Sequence, residues 1–66
     1  MMNERDKKEL LAEYRAGMVK IYQKKERHLI YRFTRKEHLK KYQALYPVKI
    51  RETIVIDGEH LTIYEM

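Results

Sequence analysis

The segment ETIVIDGEHLTIYE, residues 52–65, constrains the fold more than any other part of the chain. Asp57-Gly58 suits a type I′ turn, whose two central residues both need positive φ, and β-branched and aromatic residues alternate on either side of it. A hairpin over residues 49–65 follows. Its tight turn sets Ile56 opposite Glu59, Ile54 opposite Leu61 and Thr53 opposite Thr62. Ile50, Ile54, Ile56, Leu61 and Ile63 then share one face and form the expected core side, with Glu52 an intruder on it. A lone hairpin is marginal in water, so further elements must pair with this one or pack on it.

Two segments carry helical spacing. Asn3 is placed to cap a first helix over 4–16, with Asp6 three positions on, and Leu10, Leu11, Tyr14 and Met18 repeat at helical intervals. Arg5 with Glu9 and Glu4 with Lys8 stand four apart, as supporting ion pairs do. Gly17 follows, where a left-handed residue ends a helix. Thr34-Arg-Lys-Glu37 reads as a capping box for a second helix over 35–46, with Leu39, Tyr42 and Tyr46 on one side and Pro47 as its stop.

Residues 18–33 admit two readings. Met18, Ile21/Tyr22, Lys25 and Leu29 keep a beat that would prolong the first helix. Alternatively MVKIYQ and HLIYRF alternate as strands do, joined by the loop KKERH. That register pairs Val19 with Phe33, Ile21 with Tyr31 and Gln23 with Leu29, and gathers all six except Gln23 onto one apolar face. A partial repeat favours the hairpin: Lys8-Glu9, Leu11 and Tyr14 recur as Lys36-Glu37, Leu39 and Tyr42, and Val19-Lys20-Ile21 recurs as Val48-Lys49-Ile50. His28-Leu29 likewise recurs as His60-Leu61. The expected fold is a single α+β domain over 1–66, in the order α-β-β-α-β-β as a possible tandem αββ repeat. Four strands would form one antiparallel sheet with both helices on one face.

A chain of 66 residues buries only about 60% of its unfolded surface. It has no cysteine, so disulfides and thiolate metal sites are excluded, and a homodimer is the expected remedy for a small core. The same composition fits a cytoplasmic protein, and no apolar run approaches the about 18 residues of a membrane span.

Charge is distributed unevenly. Residues 15–41 hold ten Lys or Arg against two Glu, whereas residues 52–66 hold four acids and no Lys or Arg. In the hairpin register above, Lys20 faces Arg32 and Tyr22 faces Ile30, a like-charge juxtaposition that a bound polyanion would relieve. Lys20, Lys24, Lys25, Arg27, Arg32, Arg35, Lys36, Lys40 and Lys41 are the expected phosphate contacts, and Tyr22 is the expected stacking residue. No cofactor or metal site is expected: His28, His38 and His60 have no ligand spacing, Ser is absent, and Gly17 and Gly58 make no phosphate loop. The expected function is a non-catalytic, basic nucleic-acid-binding or regulatory module. The alternative is a protein-interaction module, an inhibitor or adaptor, docking on an acidic partner or through a free sheet edge.

Overall fold

The computed structural model describes residues 3–66. Helix α1 (Glu4–Arg15) leads into β1 (Met18–Lys25) and β2 (His28–Arg35), and helix α2 (Lys36–Leu45) leads into β3 (Lys49–Ile56) and β4 (Glu59–Glu65). The order α-β-β-α-β-β of a small α+β protein is as expected, and residues 18–33 form a hairpin rather than a prolonged helix. No helix among the described residues is long and apolar enough to cross a membrane.

The caps explain the helix ends. The Asp6 N–H donates to Asn3 Oδ1 at 2.8 Å, and Gly17 takes a φ of 84° after α1. Glu4 reaches Lys7 at 4.0 Å, in place of the expected Lys8. At α2 the expected capping box does not form. Thr34 is buried in β2 opposite Val19, and Arg35 takes the N-cap position without a side-chain hydrogen bond.

The four strands make one sheet in the order β2-β1-β4-β3. Both hairpins are antiparallel, but the central strands β1 and β4 run parallel, with Lys20 beside Ile63 and Ile21 beside Tyr64. The sheet is mixed, not wholly antiparallel as expected. The connection is the cause. Helix α2 carries the chain from β2 at one edge to β3 at the other, a crossover between strands of the same direction. Strands β1 and β4, each antiparallel to one of them, are then parallel to each other.

The first hairpin turns through Glu26 and Arg27 alone, and Glu26 takes a φ of 58°. Val19 therefore pairs with Thr34, Lys20 with Phe33, Ile21 with Arg32 and Tyr22 with Tyr31, one residue out of step with the expected register. Because side chains alternate faces, a slip of one residue sends each strand's set to a different side. Val19 and Ile21 point one way, while Leu29, Tyr31 and Phe33 join Lys20 and Tyr22 on the other. The expected apposition of Lys20 and Arg32 does not exist.

This register makes β1 a strand buried on both faces, and the two helices cover opposite faces instead of one. Leu10 and Leu11 of α1 pack on Leu61 and Ile63, with Tyr22, Phe33, Ile54 and Ile56 around them. Leu39 of α2 packs on Val19 and Ile21 from the other side, with Tyr42, Val48 and Tyr64 around them. The second hairpin keeps the expected pairing up to Glu52, which does face the core side opposite Ile63. An irregularity between Ile50 and Glu52 then moves Ile50 beside Tyr64 and leaves it 63% exposed, outside the core. The αββ order repeats, but the repeated residues do not share environments: Ile21 is fully buried in a central strand and its counterpart Ile50 lies on an edge.

Candidate nucleic-acid interface

Strand β4 supports β1 only as far as Tyr22, apart from one hydrogen bond from the Met66 N–H to the Tyr22 carbonyl. Beyond that point β1 and β2 continue as a two-stranded arm, paired Gln23 to Ile30, Lys24 to Leu29 and Lys25 to His28. Three pairs at about 3.3 Å each project about 10 Å from the body. Every residue from Gln23 to Arg32 is exposed. The arm presents Lys24, Lys25 and Arg27 at its tip, and Leu29, Ile30 and Tyr31 are each nearly half exposed along it.

The structure separates the ten expected contact residues into groups. Lys24, Lys25 and Arg27 lie on the arm, Arg32 on the outer strand at its root, and Arg35 at the junction of β2 with α2. Lys36, Lys40 and Lys41 are exposed on α2, with the Lys36 ammonium 4.5 Å from the centre of the Tyr14 ring. Lys20 does not belong with them. It is only 5% exposed, and its ammonium sits 3.9 Å from the centre of the Tyr31 ring, with Tyr22 and Phe33 alongside. That box of rings holds the cation in place of a carboxylate. Tyr22 is also committed: it is half-buried, packs on Tyr31 at 5.6 Å between centroids, and has the Arg51 guanidinium 4.6 Å from its ring centre.

Ion pairs among the described residues are few and lie outside the cationic segment. Among the described residues the pairs within 4.0 Å are Lys7 with Glu4, Arg15 with Glu59 and Arg51 with Glu65. None involves residues 24–41, where eight Lys or Arg stand against Glu26 and Glu37. The three pairs join residues of α1, β3 and β4, and the cations of the arm and α2 have no carboxylate within 4.0 Å among the described residues.

Comparison with protein-family models, curated proteins and solved structures found no match. The chemistry of the arm and its root stands alone as a guide.

A groove of about 390 Å³ lies at the root of the arm, between β1–β2 and the end of α2. Gln23, Lys24, Arg32, Tyr42, Tyr46 and Met66 line it, and no acidic side chain does. The Arg32 guanidinium lies 5.0 Å from the centre of the Tyr42 ring, and Tyr46 follows at 6.4 Å between ring centroids. Tyr46 is 52% exposed. The sequence pattern placed Tyr46 in the core, since it continues the apolar stripe of α2. Pro47, expected as the stop of α2, also carries the signal for Tyr46: it drives the preceding residue out of helical space, and Tyr46 takes φ −134° and ψ 152° at the C-cap. Its ring thereby leaves the packed side of the helix and lines the groove.

Proposed function

We propose that this chain is a non-catalytic nucleic-acid-binding module of the cytoplasm. The arm and α2 contact phosphates through Lys24, Lys25, Arg27, Arg32, Arg35, Lys36, Lys40 and Lys41, and Tyr46 in the groove replaces Tyr22 as the stacking residue. The observation that carries this reading is the set of eight cations without a carboxylate partner among the described residues, all three ion pairs there lying outside residues 24–41. Phosphates neutralise such a set and release condensed counterions on binding. A two-stranded ribbon is narrow enough for a duplex major groove, and an exposed tyrosine beside an arginine suits an unstacked base.

A salt titration of binding to a labelled oligonucleotide tests the proposal. The logarithm of the affinity should fall with log salt by roughly 0.9 per phosphate contact on duplex DNA and roughly 0.7 on a single strand. Changing Lys24, Lys25 and Arg27 together to Gln should flatten that slope by about 2–3 and weaken binding by about tenfold or more. Lys20→Met should leave affinity unchanged, because its ammonium is held among the rings. The unpaired outer edges of β2 and β3, with Ile50 and Val55 exposed on β3, favour a second reading as a protein-interaction module. Undetectable oligonucleotide binding at low salt, with stoichiometric capture of an acidic protein, would decide for that reading.

A further inference from the structure

The sheet face under α2 is only half covered. The helix lies over β1 and β2 through Leu39 on Val19 and Ile21, so His60, Thr62 and Tyr64 of β4 are left beside its flank. Between them runs a second groove of about 380 Å³, which shares no lining residue with the one at the arm. Lys36, Lys40 and Gln43 form its helical wall, a set at the spacing that places residues along one flank. Tyr14 contributes from the end of α1 and holds the Lys36 ammonium against its ring.

The lining has one chemical character. Two ammonium groups, an imidazole, a carboxamide, a threonine hydroxyl and two phenols are hydrogen-bond donors, and no acidic side chain is among them. Val19 and Leu39, both largely buried, are its apolar lining, and Tyr14 and Tyr64 are its aromatic members. Donors of this kind around a small apolar patch with aromatic neighbours match an anion joined to a planar ring. We propose that this groove binds a phosphate monoester carrying a nucleobase: a nucleoside monophosphate, free or as the phosphorylated end of a strand. A monoester carries about −1.5 to −2 charges near pH 7, which suits two lysines and a histidine better than the single charge of an internal phosphodiester.

NMR titration of the labelled protein with adenosine monophosphate, adenosine and inorganic phosphate tests this directly. Adenosine monophosphate should shift the His60 ring, Thr62 and the Gln43 carboxamide, and leave His28 on the arm unmoved. Adenosine should give no comparable shift, and inorganic phosphate a weaker one at the same residues. Lys36→Gln with Lys40→Gln should raise the dissociation constant about tenfold or more without lowering the melting temperature, since both side chains are exposed. His60→Gln gives a second route to the same loss. Oligonucleotides with and without a 5′-phosphate separate the two sources. A terminal phosphate that tightens binding about tenfold identifies a strand end, whereas no such gain, with saturable monophosphate binding, identifies a free nucleotide. Absence of groove shifts at millimolar adenosine monophosphate in low salt, or equal shifts with adenosine, overturns the proposal. Changing Lys24, Lys25 and Arg27 to Gln should not alter monophosphate binding, so the two grooves and the two readings fail separately.

Discussion

Glu26 and Asp57 hold the equivalent first central position of the two hairpin turns, and Gly58 follows Asp57. Glu26 takes φ 58°, Asp57 φ 51° and Gly58 φ 76°, all in the left-handed region where a Cβ is crowded by its own backbone. Glycine relieves that strain at position 58, aspartate tolerates it at 57, and Glu26 bears it with a longer side chain. Glu26→Gly should therefore stabilise the protein by roughly 0.5–1 kcal/mol, and Gly58→Ala should destabilise it by about 1 kcal/mol. The space around Gly58 is open, with nothing within 4 Å of an added Cβ, so the second effect is one of backbone conformation alone. Urea unfolding midpoints measure both. A loss at Glu26→Gly would mean that the arm's turn does not hold this φ. Lys20 illustrates the limit of sequence reading at this scale: a lysine within a cationic run looks solvated until its neighbours Tyr31 and Phe33 are placed around it.

Among the elements, the register of the first hairpin decides the layers. With Val19 opposite Thr34, the apolar residues of β1 and those of β2 face opposite sides, so a single layer of helices would leave one set in water. Helices on both faces resolve this, with Leu10 and Leu11 over Ile63 and with Leu39 over Ile21. Ile21→Val and Ile63→Val should each lower stability by about 0.5–1.5 kcal/mol in denaturant unfolding. Were the helices confined to one face, one of the two changes would be nearly silent. The α1 boundaries, the second hairpin and its turn were legible because local chemistry specifies them: a cap at Asn3, a glycine at 17, and Asp57-Gly58 between alternating residues. The first hairpin's register was not legible, because KKERH holds no residue that marks a tight turn, and two registers one residue apart differ only in which face each apolar set occupies.

For the whole molecule, the concentration of unpaired cations in residues 24–41 has opposite consequences for stability and for binding. The three ion pairs join side chains that all retain substantial exposure, and such pairs contribute about 0–1 kcal/mol each. The eight cations of residues 24–41 repel one another with no carboxylate in reach among the described residues. Added sodium chloride screens that repulsion, over a distance that shortens from about 30 Å at 0.01 M to about 8 Å at 0.15 M. The thermal unfolding midpoint should therefore hold or rise across this range while oligonucleotide affinity falls. A midpoint that dropped steeply with salt would show that ion pairing, and not burial, holds the fold.

What the sequence determined by itself was the inventory of elements, their order, and the concentration of cations between residues 24 and 41, since each follows from neighbours in the chain. The tertiary structure alone decided which strands lie in the middle, that β1 and β4 run parallel, that the helices take opposite faces, and that Lys20 is enclosed while Tyr46 is released to a groove. These depend on contacts between residues far apart in sequence. The physical cause is the alternation of side chains along a strand: one residue of slip exchanges inside for outside, and only the packing of both helices selects between the two.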